Sequence, residues 1–195
     1  MAEIKSTLEK VLERAASMGQ ASKEELASEE KQKQGMRLAA DYLQETVTDL
    51  SGSQESIEAE PLFRKGLVEV LLRNIILPRD EDQQRTDRAI QGLLELGRNS
   101  SELATIFGEI KQILDHYLQH TKDIRNQVED AFRQQMEQAM AQQTGQPGLG
   151  MKVDPALHPK FQEEWARIKG EVDEQYGQAL EQHKNTVAQK FLVSL

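Results

Sequence analysis

The chain of 195 residues has no cysteine, one tryptophan, five prolines and an aromatic content of only 5%. Without cysteine there is no disulfide, no thiolate zinc site and no cysteine nucleophile. Apolar runs are short throughout, so no segment reaches the roughly 20 apolar residues of a membrane-spanning helix. The opening MAEIKSTLEK is charged and amphipathic and lacks the apolar stretch of a secretory signal. The expected location is therefore the cytoplasm, with no membrane partner. Strict alternation of apolar and polar residues is also missing, which leaves no reason to expect a strand. Positive charge is in deficit: 33 acids oppose 24 bases, for a formal net charge of −9. Phosphate binding needs a basic surface, so nucleic acid is not an expected partner.

Motifs of catalysis are absent as well. There is no P-loop, no G-x-G-x-x-G and no G-x-S-x-G. Gly145, Gly148 and Gly150 cluster around Pro147 but follow a helical pattern and lack the lysine of a phosphate loop, so they read as a hinge. No carboxylate sits in an apolar setting that would raise its pKa. No catalytic residue and no cofactor is assigned, and a non-enzymatic protein is expected.

What is present is a helix-forming composition. Glutamate, glutamine, lysine, alanine and leucine dominate, and all are good helix formers. Apolar residues make up 37%, and even with the 12 glycines added the share stays below the usual ~45–50%. Long helices with narrow apolar stripes need no more than that. Charge is uneven along the chain. Residues 1–60 hold 7 bases and 13 acids, residues 61–100 hold 7 and 6, and residues 101–195 hold 10 and 14. An acidic first third thus precedes a basic cluster formed by Arg64, Lys65, Arg73, Arg79, Arg85 and Arg88.

Periodicity predicts four helices in residues 1–100. The first carries Ile4, Leu8, Val11, Leu12, Ala15 and Met18 on one stripe and stops at Gly19. Its polar face mixes both signs, which favours packing on another helix over membrane anchoring. The second opens at the capping box Ser22-Lys23-Glu24-Glu25 and runs to about residue 51, with a bend or break at Gly35. A loop follows near residues 51–56. The third has Pro61 in its first turn, carries LVEVLLRNIIL and ends at Pro78. The fourth begins with Asp80-Glu81-Asp82 and ends at Gly97.

Residues 101–195 read differently. Leu103, Phe107, Ile110, Leu114, Tyr117, Thr121, Ile124, Val128 and Ala131 alternate in steps of four and three, a heptad seam sustained for four repeats. At 1.5 Å rise per residue the helix would measure roughly 63 Å, so it is either broken near Gly108 or makes the protein elongated. A Gly/Pro-rich hinge at 144–159 follows. A last helix then places Phe161, Trp165, Ile168, Val172, Tyr176, Leu180, His183, Val187 and Phe191 on one side. The expected fold is all-α: a small helical bundle at 1–100 and a long antiparallel coiled-coil-like helical hairpin at 101–195, together an elongated helical bundle.

Three groups of residues are candidates for a site. His116, His120 and Asp123 share one helical face, a spacing that suits metal ligation; in the heptad register they flank the seam and face solvent, and no metal site is assigned. Asn74, Thr121 and Gln135 are polar residues on apolar faces, able to fix register or to sit at a wet edge. Arg64, Arg73, Arg79, Arg85 and Arg88 could grip an acidic protein.

The opening MAEIKSTLEKVLERA resembles the start of a group of short bacterial helical proteins of unknown function. The resemblance covers about the first 15 residues and implies no activity, only a bacterial cytoplasmic source. The leading expectation is a helical interaction or scaffold protein that meets a protein partner, or a second copy, through the hairpin. An adaptor that holds an acidic partner on the arginines, and a metal-dependent activity at His116, His120 and Asp123, are the alternatives.

Overall fold

The computed structural model describes residues 7–79, 83–144 and 154–193, by backbone alone at residues 7–22, 140, 143–144 and 192–193. Among these residues every regular element is helical. Six α-helices follow one another: α1 (Thr7–Leu43), α2 (Gln54–Ala59), α3 (Pro61–Arg73), α4 (Gln83–Leu96), α5 (Ser101–Thr144) and α6 (Pro159–Val193). Short 3-10 turns occupy Ser51–Ser53 and Pro155–Leu157. The chain is all-α, as its composition and periodicity imply. It divides into two units, one of residues 1–75, 84–100 and 188–195, the other of residues 76–83 and 101–187.

In the first unit the helix boundaries differ from those expected. α1 runs without interruption through Gly19 and Ser22. A glycine in a helix interior costs only about 1 kcal/mol, less than its helix-forming neighbours recover. A capping box acts only where the chain enters a helix, so here it is silent. α1 then ends at Leu43, not near residue 51. Glu45 adopts a left-handed conformation with φ 63°, and the amides of Glu45 and Thr46 turn back to the carbonyls of Tyr42 and Asp41. That is a Schellman ending without glycine. α4 ends at Leu96, directly before Gly97 as expected, and closes with the same kind of turn, its left-handed residue being Arg98 with φ 53°. The expected loop at 51–56 is a 3-10 turn leading into α2.

Gly35 is neither a bend nor a break. It lies where α1 and α3 meet. A Cβ on Gly35 would stand 1.9 Å from the carbonyl oxygen of Phe63, and one on Gly66 would stand 2.1 Å from that of Gln32. Two glycines, one on each helix, thus let the backbones touch. The core beside this crossing is Ala39, Tyr42, Leu67, Leu71, Ile90 and Leu93, each no more than 2% exposed. α3 begins at Pro61 as expected but stops at Arg73, five residues before Pro78. Asn74 is its C-cap: instead of fixing register between helices, its side-chain amide donates to the Val70 carbonyl at 2.7 Å. Thr86, 4% exposed, donates to the Asn74 carbonyl at 3.2 Å and secures the turn.

In the second unit α5 is continuous through Gly108, and its 44 residues span roughly 66 Å. Leu103, Phe107, Ile110, Leu114 and Tyr117 are all buried. From Thr121 to Val128 the seam is only half-buried, and Ala131 is exposed. Ala131 leaves the seam because a straight helix turns about 100° per residue, which puts it roughly 80° from Leu103, whereas Phe132 returns to within about 20°. Phe132 accordingly packs against Phe161, with ring centroids 5.9 Å apart. Contacts between α5 and α6 pair residues in opposite order: Phe132 with Phe161, Arg125 with Trp165, Tyr117 with Asp173, Glu109 with His183. Of the expected hinge, residues 145–153 lie outside the described residues. Asp154, which follows them, caps the second 3-10 turn by accepting from the Ala156 amide at 3.0 Å.

Candidate functional site

The arginines singled out by charge take on separate tasks. Arg88 is a structural clamp. α1 has no basic residue in its last turn, and Arg88 reaches over from α4 to supply one. Its Nε donates to the Tyr42 carbonyl, its terminal nitrogen to the Val47 carbonyl at 2.8 Å, and its guanidinium stacks over the Tyr42 ring at 4.5 Å. A cation thereby sits at the C-terminus of α1, joined to its last turn and to the loop that follows. Burial and then the Glu95 carboxylate push the Tyr42 phenol up to about 12. Arg73 and Arg85 are exposed. Arg79 falls in the second unit, where its charge helps hold Asp173 low.

Arg64 and Lys65 form the rim of a groove. Its other walls are Val68, Glu69 and Leu72 of α3 and Ala188 and Phe191 of α6, all from the first unit. Residues 64, 65, 68, 69 and 72 face one way on α3 because they recur at helical spacing. The groove has about 130 Å³ of room, close to the roughly 150 Å³ of an apolar cavity that takes up benzene. The Arg64 guanidinium lies 5.5 Å over the Phe191 ring, a cation–π contact. Its Nε is buried with no hydrogen-bond partner. Glu69 already accepts from the Gln32 side chain at 2.9 Å.

The second unit holds a polar cluster across α5 and α6. Lys169 donates to Asp173 at 2.6 Å and to the Tyr117 hydroxyl at 3.2 Å, and that hydroxyl donates to Asp173 at 2.7 Å. Burial would raise the Asp173 carboxyl, but the hydrogen bonds from Lys169 and Tyr117 outweigh it and hold the group below its ordinary value. Burial likewise opposes charge on Lys169, and the bonds to Asp173 and Tyr117 keep it protonated to higher pH. The cluster is a satisfied network inside a helix pair.

His116, His120 and Asp123 are exposed on α5. His120 meets the Tyr176 hydroxyl at 3.3 Å, and Asp123 accepts from Gln119 at 2.8 Å. Among the described residues no group of three or more histidine, aspartate and glutamate side chains is placed to hold a metal ion. Thr121 keeps a buried hydroxyl without a partner, while Gln135 is exposed. No helix among the described residues is long and apolar enough to cross a membrane.

A family model matches residues 53–189, from the turn before α2 almost to the end of α6. The chain belongs to the family of unknown function DUF6657. No curated protein and no solved structure matches it. The DUF6657 match includes most of the groove and the polar cluster, and the opening 15 residues lie outside it. Sequence reasoning placed Phe191 on the apolar side of the last helix and Arg64 in the basic cluster. It had no means of bringing them together, because no local pattern links positions more than 100 residues apart.

Proposed function

We propose that this DUF6657 chain is a non-enzymatic, scaffold-type interaction protein, and that a second copy of the chain docks along the α5–α6 pair. One observation supports this reading. The apolar line of α5 is covered as far as Tyr117, but Thr121, Ile124, Val128, Phe132 and Met136 stay half-buried, as do Trp165 and Ile168 on α6. A pair of helices that carries its apolar seam beyond what it can cover offers that seam to another helix. The nearby polar residues are mostly engaged in pairs along one helix, such as Arg125 with Glu129 at 2.9 Å and Arg133 with Asp130 at 2.8 Å. Sedimentation equilibrium over a range of protein concentrations tests the proposal. Reversible self-association is expected, weakened by about tenfold or more in Ile124→Glu and Val128→Glu, since each removes a half-buried branched side chain from the seam and adds a charge. A monomer at every concentration overturns it.

A further inference from the structure

We infer that the groove between α3 and the last turns of α6 is a docking site for an acidic peptide segment of a partner protein, which inserts one bulky apolar side chain. This site lies within the first unit and is independent of the seam in the second. Three observations carry it. The room is that of a single side chain: about 130 Å³, floored by Val68, Leu72 and Phe191. A pocket of that size with an apolar floor is what an aromatic or aliphatic anchor residue fills at the centre of an interface. The rim is cationic. Arg64 and Lys65 make no side-chain hydrogen bond and no salt bridge among the described residues, and the Arg64 Nε is buried without a partner.

The acids around the rim are already in use. Glu69 accepts from Gln32, and Glu58, which feels the charge of Arg64, pairs with Arg98 at 2.8 Å. Both cations are therefore left for a carboxylate that arrives from outside, in a chain that elsewhere is strongly acidic. The Arg64 guanidinium already lies over Phe191, so a carboxylate bound to it would sit directly beside the apolar floor. Complementary charge next to an anchor pocket selects a peptide with glutamate or aspartate on either side of a phenylalanine or leucine.

The test is fluorescence anisotropy on the full chain with a labelled 12-residue peptide carrying a central phenylalanine between pairs of glutamates. Matched peptides have alanine at the centre, or lysines in place of the glutamates. Saturable binding of the first peptide is expected, weaker by about ten- to a hundredfold with alanine at the centre. It should fall as salt rises. Lys65→Glu, at an exposed rim position, should weaken it by about tenfold. Ala188→Phe, which fills the groove, should abolish it with the helical circular dichroism retained, and Ala188→Leu serves where Ala188→Phe unfolds. Three results overturn the inference: no saturable binding, equal binding of the alanine-centred or lysine-flanked peptide, or binding unchanged in both Ala188 variants. Self-association lost on filling the groove would assign it to a second copy and also overturn it.

Discussion

Arg88 shows how far a residue's role depends on its neighbours. By charge alone it belongs with Arg64 and Arg85, yet its guanidinium is spent on two backbone carbonyls and the face of Tyr42. Tyr42 itself makes a prediction. Its phenol titrates near 12 in the folded chain, against an ordinary value of 10. The folded state thus holds that proton more tightly than the unfolded chain does. The resulting stability is fully present below pH 10 and is lost as pH rises through about 12. Tyr42→Phe cannot lose what it does not have, so its stability should decline less over that window. Urea midpoints at pH 8, 10, 11 and 12 check this. Tyr117 is also raised, chiefly by burial and its bond to Asp173, and should leave part of the decline in the variant. An identical decline in both proteins would refute the assignment to Tyr42.

At the scale of elements, the glycines separate two uses that look alike in a sequence. Gly35 and Gly66 sit at the crossing of α1 and α3, and an added Cβ meets backbone, which cannot swing aside as a flexible side chain can. Gly35→Ala and Gly66→Ala should each cost about 2–3 kcal/mol through forced separation of the helices. Gly108 lies on the exposed face of α5, and a Cβ added there would meet nothing within 4 Å. Gly108→Ala should therefore stabilise by about 0.5–1 kcal/mol through helix propensity alone. Chemical denaturation of the three variants measures both signs, and a stabilising Gly35→Ala would remove the close crossing. The helical class, the start of α3 at Pro61 and the buried half of the α5 seam were legible because they rest on local patterns. The end of α1 was not, since its left-handed residue is Glu45 rather than glycine. Nor was the register beyond Val128, where a strict heptad count drifts away from a straight helix and hands the seam from Ala131 to Phe132. The Arg64–Phe191 pairing at the groove depends on tertiary structure and left no trace in either segment.

Across the whole molecule, the chain passes between its two units more than once. Residues 76–83 belong to the second although they sit between α3 and α4, and α6 contributes residues from 188 onward to the first. One aromatic residue near the end of the sequence therefore supports a unit built mainly from its beginning. Phe191 is 5% exposed, and truncating a buried phenylalanine costs about 3–5 kcal/mol. The single tryptophan, Trp165, lies in the second unit, so its fluorescence reports that unit, while far-UV circular dichroism reports helix from both. Phe191→Ala should lower the stability of the first unit alone. Its circular dichroism transition should gain an early phase that the Trp165 signal does not follow, whereas two signals falling together by the same amount would mean that the units unfold as one. The same variant also deletes a wall of the groove, so peptide binding should be lost under native conditions well before unfolding begins. That order of events separates damage to the site from damage to the fold.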